Sequence, residues 1–190
     1  MDEGDRVKCL GYEARGKEYL PSLPEHGDGM KVLIAYYSRT GNNEKLVNEL
    51  RTKLECDVEK IVDIVNRKGV WGWIKGGRDA SRKKMSKIEP TAKDPGGYDV
   101  VVLAFPLWAS LMPPAMRMYI FENKNKFKNV ALMSVSGSGK GNEKTIPDFE
   151  SAVGKEAFAR LMLKQSELKH GGYEKKLQEF SDSISKLADS

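Results

Sequence analysis

The chain predicts an α/β fold in which helices wind both faces of a five-stranded parallel sheet. Three observations carry that prediction. A β-branched and aromatic run at 31–37 passes through a loop with one glycine straight into a helical pattern at 44–54. A second run, 98–105, is apolar almost throughout, as a parallel strand covered on both faces must be. Strand-like and helix-like segments then alternate to the end of the chain without an internal repeat, and right-handed crossovers leave few topologies open.

Taken in order, residues 1–29 are polar, rich in Gly and Pro, and lack periodicity. They carry four Lys/Arg against seven Asp/Glu, whereas the other residues carry 28 against 20. An acidic N-terminal extension therefore precedes a basic domain over 30–190. Leu10, Tyr12, Tyr19 and Leu20 are the extension's means of packing on a surface. The first strand, 31–37, leads to a helix whose Leu46, Val47, Leu50 and Leu54 share one face. Residues 57–65 alternate well enough for a second strand.

From 67 to 93, nine Lys/Arg face only Asp79 and Glu89. A solvated helix face anchored to the sheet by Trp71 and Trp73 is the simpler reading. Its functional version is the steering of an anionic redox partner or a phosphorylated nicotinamide, and nucleic acid is disfavoured. The third strand, 98–105, ends in an apolar loop through Pro106, Leu107, Trp108, Ala109, Ser110 and Leu111. Pro113 and Pro114 then open a helix to about residue 121. The fourth strand, 129–135, meets Ser136, Gly137, Ser138 and Gly139. A helix at 143–153 is closed by Gly154, and 157–163 reads as an edge strand softened by Arg160 and Lys164. Gly171 and Gly172 break the chain before a closing helix carrying Tyr173, Leu177, Phe180, Ile184 and Leu187.

Bulk properties exclude several classes. A chain of 190 residues is one domain by length. No apolar run approaches the span of a membrane helix, and the N-terminus lacks a signal-peptide core, so a cytoplasmic protein is expected. Cys9 and Cys56 have no metal-ligand spacing and read as incidental thiols. His26 and His170 stand apart, which disfavours a histidine hydrolase or a zinc enzyme.

The loop after the first strand reads as a phosphate cradle. Ser38, Arg39, Thr40, Gly41, Asn42 and Asn43 place hydroxyls and one glycine before a helix whose first N–H groups are free to donate. It lacks the three glycines of a dinucleotide loop and the Gly-Lys-Ser/Thr ending of an NTP loop. The glycine cluster at 137–141 fails the NTP template too: five residues before Gly139 stands Ser134, and Gly141 takes the place required of Ser/Thr. A terminal monophosphate held without metal fits best.

With its strand, the Tyr-Ser-Arg-Thr-Gly-Asn run resembles the FMN-phosphate loop of the flavodoxin family, whose last position is usually threonine where this chain has Asn43. The Pro106–Pro114 segment is similar to that family's isoalloxazine loop, and Ser136 to Gly139 to its pyrimidine-edge loop, although a plain turn explains the latter equally well. The resemblance covers roughly 30–188. It implies a flavodoxin-like sheet of order 2-1-3-4-5, in which the ends of the first and third strands flank the ligand at a topological switch point. It also implies non-covalent FMN and no metal. Two functions fit: a carrier shuttling electrons between redox partners, and a small reductase taking hydride from NAD(P)H for a quinone or similar acceptor. Carriers in the family typically have a glycine in the ring loop whose peptide flips; Ala109 and Ser110 stand there in this chain. A flavin-free module binding anionic partners is the third reading.

Overall fold

The structure, a computed structural model, describes residues 29–65, 67, 69–137 and 142–189. The extension up to residue 28, with Ser138 and Gly139, lies outside them. Five parallel strands form one sheet: β1 (Val32–Tyr36), β2 (Asp57–Lys60), β3 (Val100–Pro106), β4 (Asn129–Ser136) and β5 (Ala159–Lys164), in the order β2-β1-β3-β4-β5. The helices are α1 (Asn42–Leu54), α2 (Gly69–Ser81), α3 (Pro114–Asn123), α4 (Asn142–Val153), α5 (Gln165–His170) and α6 (Glu174–Ser185). No helix among the described residues is long and apolar enough to cross a membrane.

Strand alternation divides two cores. Val32, Ile34 and Tyr36 of β1 pack with Leu46, Val47 and Leu50 of α1 and with Leu177, Phe180 and Ile184 of α6. Ala35 and Tyr37 face the opposite way, into a core closed by Met116, Tyr119 and Ile120 of α3 and Phe149 of α4. β3 is buried from Val100 to Phe105, so it serves both faces and must be nearly all apolar. The parallel register pairs Tyr36 with Ala104, and Pro106 with Val135. The C-terminal ends of β1, β3 and β4 therefore finish side by side.

Several boundaries depart from expectation. β2 stops at Lys60 rather than running to residue 65. Ile61 N–H still donates to the Tyr36 carbonyl at 2.7 Å, but Asp63 then turns aside to accept from Val65 N–H and Arg67 Nε. β5 begins two residues late, at Ala159, and α3 extends to Asn123. α5 was not expected; its first turn is tied by Glu167, which accepts from Lys164 N–H. The greatest difference is in α2. Trp71 does not anchor this helix to the sheet: it is 84% exposed.

Candidate functional site

The rim at the C-terminal ends of β1, β3 and β4 brings three of the expected segments together. After β1, Tyr37 N–H still donates to the Ala104 carbonyl at 2.9 Å, which keeps the chain beside β3 until the loop leaves. Ser38 Oγ accepts from Gly41 N–H at 3.2 Å and closes a tight turn. Gly41 caps α1 at φ +85°, a left-handed conformation that glycine adopts without strain, and a Cβ there would meet open space. Among the described residues no side chain caps α1, which leaves the N–H groups of Asn42 and Asn43 available to an anion. Ser38 is half-buried; Arg39 and Thr40 are exposed.

Asn43 supplies the telling detail. It sits on the inward face of the first turn of α1, 1% exposed, and its Oδ1 has no partner. A buried amide with an unused end costs free energy unless something meets it, and rotation of the amide exchanges acceptor for donor. A phosphate at the cap would give it a partner.

Glu44, in the same turn, is a potential obstacle to an anion. Its Oε1 accepts from Lys60 Nζ at 2.7 Å and from Tyr36 Oη at 3.0 Å. The Lys60 hydrogen bond, chiefly, holds this carboxyl below its usual range. The charge is thus engaged sideways, against β2.

The loop after β3 meets the first loop directly. Tyr37 stands edge-on to Trp108, with ring centroids 5.6 Å apart. The guanidinium carbons of Arg39 and Arg67 each lie 5.9 Å from the Trp108 ring centroid. Burial, then the Asp63 charge, pushes the Tyr37 phenol up to about 12, so it remains a neutral donor. Trp108 and Leu111 exchange two backbone hydrogen bonds of 3.0 Å around Ala109 and Ser110, whose φ angles are +50° and +64°. Two consecutive non-glycine residues at positive φ make a type I′ turn at a cost of roughly 1–2 kcal/mol each. Thr145 Oγ1 of α4 donates to the Ser110 carbonyl at 2.8 Å and holds the turn. Met112 and Pro113 are buried beneath the protein's own core, so less of this apolar loop is available to a ligand than its composition suggests. Leu107, Trp108 and Leu111 remain half-buried.

Leu107 N–H donates to the Val135 carbonyl at 3.1 Å, which ties the third segment to the second. Ser136 is buried and Gly137 exposed at this end of β4. Ser38, Arg39, Thr40, Gly41, Asn42, Asn43, Pro106, Leu107, Trp108, Ala109, Ser110, Ser136 and Gly137 thus all border one rim, while Ser138 and Gly139 are outside the description.

Three contributors had no signal at the sequence level. Arg67, its side chain only 4% exposed, is bonded through Nε to Asp63 at 2.7 Å and through Nη1 to Asp79 at 2.9 Å. Gly76 of α2 abuts the Trp108 ring, where a Cβ would lie 2.8 Å from Cζ3. Thr145 reaches Ser110 from 35 residues away. Among the described residues, no cluster of His, Cys, Asp and Glu could hold a metal ion.

No protein-family model matches the sequence, and no curated protein does either. Solved structures do match. A flavoprotein in complex with FMN from Lactobacillus acidophilus aligns with a TM-score of 0.62 at 17% identity, covering 74% of this chain and 97% of that one. The oxidised flavodoxin 2 of Bacillus cereus aligns at 0.56 and 15% identity, covering 83% and 99%. A flavodoxin, WrbA-like protein of Agrobacterium tumefaciens aligns at 0.56 and 11% identity, covering 84% and 98%. With the strand order, these likenesses establish a flavodoxin-like fold.

Proposed function

We propose that this rim binds FMN non-covalently and that the protein passes electrons between redox partners. The observation that carries the reading is the buried Asn43 amide, whose Oδ1 has no partner, at the N-terminus of α1 beside the Ser38–Gly41 turn. An ordinary strand-to-helix turn has no use for it. The fold shared with the FMN-bound flavoprotein of L. acidophilus supports the same ligand.

In this reading the Ser38 and Thr40 hydroxyls and the N–H groups of Asn42 and Asn43 hold the phosphate. Arg39 supplies a counter-charge beside Trp108. Pro106 to Ser110 line the ring, and Ser136 and Gly137 approach its pyrimidine edge, joined by Ser138 and Gly139 through the family resemblance. Bound FMN supplies the redox chemistry, and the protein supplies orientation, exclusion of water and local charge. The experiment is a titration of FMN with purified flavin-free protein, followed by stepwise reduction. Quenched flavin fluorescence, with reduction in two resolved one-electron stages, is expected. Unquenched FMN would reject the cofactor.

A second reading, an NAD(P)H-dependent reductase of quinones or similar acceptors, is favoured by the Trp108–Leu111 turn. Its peptide cannot rotate at the low cost that glycine allows, because Ala109 and Ser110 stand there and Thr145 holds the carbonyl. Rapid NADPH oxidation in the presence of a quinone, with reduction in a single two-electron stage, would select this reading over the carrier.

A further inference from the structure

We propose that the outward stripe of α2 is the docking surface for an acidic redox protein. Trp71, Ile74, Lys75 and Arg78 recur at the three- and four-residue spacing of one helix face, and Arg82 follows in the turn at its end. Trp71 is 84% and Ile74 48% exposed, and Lys75, Arg78 and Arg82 are exposed as well. Among the side chains described, its inward side presents Gly72, Gly76, Asp79 and Ala80; those of Val70 and Trp73 lie outside them.

Among the described residues, nothing explains the outward tryptophan. α2 is held without it, by the Arg67–Asp79 ion pair and by glycines against the Arg67 backbone and the Trp108 ring. An exposed aromatic with an aliphatic neighbour, flanked by cations, is the anatomy of an interface centre with its rim.

The charge selects the occupant. Among the described residues no carboxylate pairs with Lys75, Arg78 or Arg82, so these residues leave three cations of the stripe uncompensated. A second copy meeting it through the same surface would bring like charges together. A lipid surface would be offered only two apolar side chains from a helix of 13 residues, little area for interfacial binding. A protein with carboxylates around an apolar centre satisfies both parts of the surface. The opposite side of this helix touches Trp108, so such a partner would dock one helix thickness from the ring loop. The partner's redox role rests on the proposed function; the docking does not.

The test titrates 15N-labelled protein, with and without FMN, with an acidic plant-type [2Fe–2S] ferredoxin as probe and a basic c-type cytochrome as counter-probe. The ferredoxin is expected to shift the Trp71 indole and the α2 amides, and to bind more weakly as salt rises. Lys75→Glu with Arg78→Glu should weaken it more than about tenfold and abolish the salt dependence. Trp71→Ala should weaken it about tenfold with the salt dependence kept. Equal binding of both probes overturns the proposal, as does a perturbation mapping elsewhere. So does capture of phosphatidylglycerol vesicles through Trp71 without ferredoxin binding, or a dimer that Trp71→Ala dissolves. Ferredoxin docking on protein that refuses FMN would support the surface and reject the cofactor; FMN binding without docking would do the reverse.

Discussion

α1 and α2 are both 13 residues long and both border the rim, yet they are held by opposite means. α1 turns Leu46, Val47 and Leu50 into the sheet and keeps its polar groups outside, apart from the unpartnered Asn43 at its tip. α2 turns glycines and a carboxylate inward and leaves Trp71 and Ile74 in solvent. Hydrophobic burial is non-directional and scales with area, so it fixes α1 as a rigid platform for its free N–H groups. A glycine contact and a buried ion pair are directional. They seat α2 against Trp108 while leaving Trp71 and Ile74 exposed to another molecule. The comparison suggests a division of labour, with one helix shaping the proposed cofactor site and the other facing outward.

The comparison breaks if apolar truncation costs the same on both helices. Leu50→Ala removes a side chain with no exposed surface and should cost about 3–4 kcal/mol in urea unfolding. Asp79→Ala should cost about 3 kcal/mol, because Arg67 is left buried with Asp63 as its remaining partner.

The same pair gives a pH signature. Burial alone would raise the Asp79 carboxyl, but the Arg67 hydrogen bond and charge more than reverse this, leaving it below its ordinary 3.8. A carboxylate depressed in the folded state stabilises the fold fully above its unfolded pKa, and that contribution is lost as pH falls through the folded value. Melting temperature followed from about pH 6 down to pH 2 should therefore show an acid-side loss that is smaller in Asp79→Ala, the remainder coming from other depressed carboxylates such as Glu44. Ser38→Ala combined with Thr40→Val should weaken FMN about tenfold or more, yet cost no more than about 1 kcal/mol in urea unfolding, the worth of the exposed Gly41–Ser38 hydrogen bond. Trp71→Ala should change stability by no more than about 0.5 kcal/mol.

What could be read beforehand follows from how locally each feature is encoded. β1, its loop and α1 occupy consecutive residues, so apolar run, glycine and helical spacing lay in one window. α6 was equally legible: Leu177, Phe180 and Ile184 recur at helical spacing and are buried as that spacing requires. Trp71 of α2 was misread as an anchor, and the side chain of Trp73, the other expected anchor, lies outside those described; the attachment that is described uses an Arg67–Asp79 pair 12 residues apart and glycines whose partners lie elsewhere. The second strand was drawn too long because Ile61, Val62 and Ile64 look strand-like, and nothing nearby shows that Asp63 leaves the ladder to bind Arg67. The loop after β1 was legible as a motif. The open valence of Asn43 is a property of packing and emerges only in three dimensions.

The central claim is that the first loop holds a phosphate on a flavin. The most direct test compares FMN with riboflavin, which lacks only that phosphate, by fluorescence quenching on wild-type protein and on the Ser38→Ala, Thr40→Val variant. FMN should bind about 100-fold more tightly than riboflavin to the wild type, with the ratio falling at least tenfold in the variant. Equal affinities for the two flavins, or a ratio the variant leaves untouched, would contradict the account.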